Sequence, residues 1–104
     1  LNKKVPLSAP TNVNIAVMPN QNNCFYLTWD HNELATNGYY LIIYEDDEKI
    51  KEVDVKKQVD TNTNKQYFKT DIVYKEGKRY KFKKKTEATN EYKASDIVII
   101  YYPD

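Results

Sequence analysis

Gly77-Lys78-Arg79-Tyr80-Lys81-Phe82 decides how the rest of the chain reads. A turn glycine, then a tyrosine, then apolar residues at every second position, is how a central strand of an all-β sandwich begins. A tyrosine at such a corner buries its ring while its hydroxyl bonds back to the chain just upstream, pinning the crossing between two sheets. With Tyr80 and Phe82 inward, the same period of two turns Lys84 inward as well. A buried, unpaired ammonium costs several kcal/mol. Lys84 is therefore expected near the sheet end with its nitrogen in water, or at a bulge that re-aims it.

Outward from that stretch the chain falls into strands separated by turn signals. Upstream, Gln66 to Tyr74 alternates with Phe68, Thr70 and Ile72 on one face, and Lys75-Glu76-Gly77 turns the chain. Downstream, Ala88–Ala94 is a loop; Ser95–Tyr102 is the last strand, with Val98, Ile100 and Tyr102 inward, stopped by Pro103. Towards the N-terminus, Lys49–Val55 sets Val53 and Val55 inward, the loop Lys56–Lys65 follows it, and the acidic run Glu45-Asp46-Asp47-Glu48 turns into it. Tyr39–Tyr44 is apolar on both faces; Tyr40, Ile42 and Tyr44 are assigned to the core, which leaves Tyr39, Leu41 and Ile43 outside. Asn37-Gly38 is a strong turn. Cys24–Trp29 puts Phe25, Leu27 and Trp29 in one row, with the indole filling the centre between the sheets. Pro19–Asn23 is a polar turn, and Val13, Ile15 and Val17 form the inward row of the first strand. The expected core is built on Trp29, Tyr40, Ile42, Tyr80, Phe82 and Ile100. Seven strands of this kind make an immunoglobulin-like β-sandwich. Residues 1–10, stiffened by Pro6 and Pro10, are expected as a linker and 11–104 as the single domain.

Composition agrees with one two-layer core and little else. The chain has 104 residues, 40% hydrophobic and 30% charged, which is globular rather than disordered. Sixteen basic against fifteen acidic residues leave a net charge of +1, with no field to favour nucleic acid or an anionic membrane. No apolar run approaches the roughly 20 residues of a membrane span, and no stretch reads as a signal peptide. A start at Leu1 rather than Met is read as a piece of a longer protein. One cysteine, Cys24, excludes an internal disulfide, so burial alone must hold the core.

These features together resemble the fibronectin type III family. The matching residues are Pro10 before the first strand, the lone Trp29, Gly38-Tyr39-Tyr40-Leu41-Ile42-Ile43-Tyr44, the corner tyrosine Tyr80, and the closing Ile100-Tyr101-Tyr102. They span Pro10 to Tyr102. Two departures stand out: Tyr74 and Glu76 occupy positions where the family usually has leucine and proline, and Lys84 stands where valine is usual. The resemblance implies strands A, B and E in one sheet and C′, C, F and G in the other. It also implies a spacer or protein-binding module of a larger, often extracellular or cell-surface protein. The family's Arg-Gly-Asp loop is absent, since residues 88–94 read ATNEYKA.

Chemistry finds little purchase. His31 lies beside Asp30 and Glu33 on a polar loop while the only thiol, Cys24, is several residues back along the preceding strand, and no third group is placed to orient a base. The run Glu45–Glu48 offers hard oxygens, but adjacent residues on a turn point different ways and calcium takes six to eight ligands. No enzyme activity, metal or cofactor is expected. The strongest lead is the outer face of the larger sheet. There Tyr39, Leu41 and Ile43 on one strand and Ile97, Ile99 and Tyr101 on another flank a ladder of Lys81, Lys83 and Lys85. Such a patch exceeds what monomers usually expose and suits a protein partner or an adjoining domain; lysine stems lying over the apolar neighbours are the plainer explanation. A weaker lead is a loop cluster at one pole offering His31, Asn32, Glu33, Asn90, Glu91 and Tyr92. Carbohydrate binding, alone or as the accessory module of a secreted enzyme, is the alternative, since ten tyrosines could stack on sugar rings.

Overall fold

Strands form where the sequence alternates, and the computed structural model, which describes residues 4–104, contains eight of them. They are β1 (Asn14–Met18), β2 (Cys24–Asp30), β3 (Tyr39–Glu45), β4 (Glu48–Val55), β5 (Val59–Asp60), β6 (Lys65–Val73), β7 (Tyr80–Thr86) and β8 (Val98–Tyr102). Two antiparallel sheets of four result, ordered β1-β2-β6-β5 and β4-β3-β7-β8, packed as a β-sandwich. The one strand beyond the expected seven is β5. It lies within the segment expected to be loop, closed as a short hairpin on β6 by Asn64 at φ 56° and by the Gln58 N–H donating to Gln66 Oε1 at 2.8 Å.

The inner rows of β2 and β7 lie where alternation puts them. Phe25, Leu27, Trp29, Tyr80 and Phe82 are all buried. Phe25 is the hub of one end of the core, with edge-on contacts to Tyr80 at 4.7 Å, Phe82 at 5.2 Å and Tyr102 at 5.3 Å between ring centres. Such geometry sets positive ring edges against negative faces. The Tyr80 hydroxyl accepts from the Lys75 N–H at 3.1 Å and donates to Glu45 Oε2 at 2.7 Å, tying the corner to both sheets. Burial, then the Glu45 carboxylate, push its pKa up to about 12.

The expected facing of β3 is reversed. Tyr39, Leu41 and Ile43 are buried, at no more than 1% exposure, while Tyr40, Ile42 and Tyr44 are half-buried on the outer face. One extra residue in β4 brings that strand's register into agreement with this facing. The turn Asp46-Asp47, both with positive φ, closes a tight hairpin with Glu45 opposite Glu48 and Tyr44 opposite Lys49. Continued regularly, that register would set Val53 opposite Tyr40. A bulge follows Tyr44, so Ile43 meets Lys51 and Leu41 meets Val53 instead. A slip of one residue exchanges the two faces. On its other side β3 agrees: Ile43 lies opposite the inward Phe82.

Lys84 departs further from expectation. β7 pairs with β3 without interruption from Tyr80 to Thr86, so no bulge re-aims the side chain, and Lys84 is only 1% exposed. Its Nζ lies 3.2 Å from the centre of the Trp29 ring and 4.7 Å from that of Tyr39. Desolvation pulls its pKa down to about 6, so at neutral pH the group is an uncharged amine resting on aromatic faces. Lys84 Nζ, Trp29 Nε1 and the Tyr39 hydroxyl are the buried side-chain polar atoms lacking a hydrogen-bond partner among the described residues. Burial raises the pKa of Tyr39 as well.

Of residues 1–10, expected to be a linker, 1–3 lie outside the described residues, and the stretch around Leu7 and Ser8 packs against the body. Leu7 is buried, its N–H donates to Lys93 O at 3.0 Å, and Thr86 Oγ1 donates to Ser8 O at 3.0 Å. Gly38 is required at the start of β3: its φ is +78°, and a Cβ there would stand 2.3 Å from Val55 O.

Candidate functional site

Directly opposed residues of antiparallel neighbours share a face, so the register sets the outer surface of the second sheet. Across it run four stripes. Glu52 and Asp54 of β4 lie opposite Ile42 and Tyr40; Tyr40, Ile42 and Tyr44 of β3 lie opposite Lys85, Lys83 and Lys81; and Lys83 and Lys81 lie opposite Ile99 and Tyr101 of β8. The surface is acidic, then aromatic, then basic, then apolar.

The lysines lean towards β3. Lys81 and Lys83 place their ammonium groups 4.5 and 5.2 Å from the centre of the Tyr44 ring, and Lys85 lies 5.7 Å from that of Tyr40. Cation–π attraction of this exposed kind is worth about 0.5–1 kcal/mol. The Tyr40 hydroxyl donates to Glu52, which also pairs with Lys49. That bond first, with burial second, pushes the Tyr40 pKa up to about 12, while Glu52 is held down by Lys49. The β3 stripe is thus covered by its neighbours. The β8 stripe is not: Ile97 and Ile99 are 53% and 51% exposed, and Tyr101, under the Arg79 guanidinium at 4.4 Å, is 43% exposed.

Of the surface predicted from sequence, Lys81, Lys83, Lys85, Ile97, Ile99 and Tyr101 therefore lie on the outer face, while Tyr39, Leu41 and Ile43 belong to the core. Tyr40, Ile42, Tyr44 and Arg79 are the outer residues that alternation alone missed. Their facing follows from Ile43 lying opposite the inward Phe82, a pairing between strands that alternation within β3 does not carry.

At the β2–β3 pole a cavity of about 340 Å³ is lined by His31, Asn32 and Glu33 together with Asp30, Tyr39 and Thr86. Asp30 accepts from Lys65 Nζ at 2.6 Å, Asn12 Nδ2 at 2.6 Å and Thr11 Oγ1 at 2.8 Å. These bonds, Lys65 foremost, hold its pKa down to about 2. His31 Nδ1 lies 3.0 Å from Gln66 Nε2, and Gln66 Oε1 already accepts from the Gln58 N–H. Asn90, Glu91 and Tyr92 do not line this cavity. They sit on a turn closed on Thr89, whose Oγ1 accepts from the N–H groups of Glu91 and Tyr92.

Cys24 and His31 are not brought together. Cys24 opens the seven-residue strand β2 and His31 follows its last residue, a span of about 23 Å at strand rise. The acidic turn is divided among partners: Glu45 takes the Tyr80 hydroxyl, Asp46 takes the Arg79 N–H at 2.9 Å and Lys78 at 3.4 Å, and Asp47 faces Lys81 at 3.8 Å. Among the described residues no three His, Cys, Asp or Glu side chains are grouped to hold a metal. No helix there is long and apolar enough to cross a membrane.

Compared with protein-family models, with curated proteins and with solved structures, the chain has no match.

Proposed function

We propose that this domain is a non-catalytic, fibronectin type III-like module of a larger, extracellular or cell-surface protein. On this proposal it acts as spacer and protein-interaction unit, contacting a neighbouring domain or partner through the β7–β8 half of its outer sheet face. The observation that carries the contact surface is the stripe Ile97, Ile99 and Tyr101, which stays exposed while the lysines shield β3. Clusters of exposed large apolar residues bounded by polar ones mark interaction sites more often than scattered singles do. The family likeness is supported by the division of β1, β2 and β6 from β4, β3, β7 and β8, and by the Tyr80 hydroxyl bonding back to Lys75.

A photo-crosslinking residue at Ile99, with Lys69 on the opposite sheet as control, tests this in the cell that makes the protein. Discrete protein adducts from position 99 and none from 69 are expected. Equal labelling from both, or none from 99, would sink the proposal. Carbohydrate binding keeps one observation in its favour, the stacked pair Tyr26 and Tyr67 at 6.2 Å and 27° on the other sheet. Glycan-array binding lost in Tyr67→Ala would promote that alternative.

A further inference from the structure

We propose that β8 is a self-complementary edge along which a second copy of this chain adds antiparallel, joining the two β4-β3-β7-β8 sheets into one continuous sheet. The inference rests on the reading of the Ile97–Tyr101 stripe as a contact surface and names its occupant.

Edge strands expose unpaired backbone N–H and C=O groups, and proteins guard them with charge, brevity or a bulge. The other edges here are guarded or lack an exposed apolar row. β4 carries Glu48, Lys49, Lys51, Glu52 and Asp54 along eight residues, β5 is two residues long, and none of the large apolar residues of β1 is exposed. β8 alone combines five uncharged residues, VIIYY, with exposed Ile99 and Tyr101, and with Ile97 just before it.

A two-fold axis normal to the sheet through Ile99 sets Ile99 against its own copy and Ile97 against Tyr101 on the outer face. On the inner face it sets Val98 against Ile100. Every opposed pair from 97 to 101 is apolar and no like charges meet. The added strand's inner side chains face a groove of about 300 Å³ between β1 and β8, lined by Val13, Ile15, Ile100 and Tyr102 together with Asn14 and Asp104. The lysine ladders do not oppose the union. Two copies of β7 would stand three strand spacings apart, about 14 Å, beyond the roughly 8 Å screening length of physiological salt. Their ammonium groups also lean towards β3, away from the seam. An acidic partner strand, by contrast, would find no cation on β8 to meet. A five-residue seam falls short of the roughly 800 Å² per partner of a standard interface, so the dimer is concentration-dependent.

Sedimentation equilibrium of the 104-residue chain from micromolar to millimolar concentration tests this. The mass is expected to rise from 12.3 kDa towards twice that value, with little change in high salt. Ile99→Lys and, separately, Ile97→Lys are expected to stay at 12.3 kDa throughout with an unchanged circular dichroism spectrum. A wild-type chain monomeric at millimolar concentration overturns the proposal, as does association that survives both substitutions or is abolished by salt. If the chain stays monomeric while position 99 still crosslinks to another protein, self-pairing falls and the broader interaction proposal stands.

Discussion

Replacing Lys84 by methionine is expected to stabilise the domain, by an amount that shrinks as pH rises. Methionine has similar length and no charge to desolvate. The unfolded chain holds a proton on this amine up to its ordinary pKa of 10.5, the folded chain only below about 6. Between those values the unfolded state binds more protons, so the wild type gains stability as pH climbs and loses it as pH falls towards 6. At pH 7 the lost proton costs about 5 kcal/mol at 1.36 kcal/mol per pH unit. Imperfect repacking around the methionine takes back up to about 1.5 kcal/mol, which leaves an expected advantage of Lys84→Met of about 3–5 kcal/mol. From pH 7 to pH 9 that advantage should fall by about 3 kcal/mol. The range stops there because Tyr39 and Tyr80, whose pKa values are raised, begin to add their own titration above it. Urea unfolding of both proteins at pH 7, 8 and 9 measures the gap. A gap that does not change with pH, or a destabilised variant, would show that the amine is charged and wet in the folded protein.

Gly38→Ala should lose stability by about 1–3 kcal/mol from backbone strain, with more from the contact of the new Cβ with Val55 O. Gly77→Ala, at φ +88° but facing open space, should lose only about 1–2 kcal/mol; equal losses in denaturant titration would contradict the packing at Gly38. Asp30, held at about 2 chiefly by Lys65, contributes stability at neutral pH that is lost as pH falls through that value. Thermal melts of the wild type between pH 4 and pH 2 should therefore drop more steeply than those of Asp30→Asn, and parallel curves would refute the pairing.

Strands with one apolar face were legible in the sequence. In β2 and β7 the polar row names the outside, so Phe25 and Phe82 could be placed from alternation alone. β3 has no polar row, and its facing is decided by a partner: Phe82 draws Ile43 inward, and the bulge beside Tyr44 makes the β4 side consistent with that. Local alternation carries neither fact. Lys84 shows a different limit. The cost of burying an amine was rightly weighed, but the chain meets it by giving up the charge over Trp29 rather than by moving the side chain. The exposed half of the interaction surface was visible because β8 is apolar and uncharged throughout, beside the alternating lysine row of β7. Its β3 half was not, since it inherited the reversed facing. At the loop pole, residues 31–33 gather around a cavity through β2 and β3, whereas 90–92 close on Thr89 by bonds that span only two or three residues.

The surfaces described above all depend on which row of β3 is inside. The unfolding free energies of Leu41→Thr and Ile99→Thr, measured side by side in urea, address that most directly. Leu41→Thr is expected to lose roughly 2–5 kcal/mol, as a buried large residue replaced by a smaller polar one does, and Ile99→Thr less than about 1 kcal/mol, as at an exposed site. Comparable losses, or a larger loss at Ile99, would place the exposed stripe in the core and contradict the proposed interaction face.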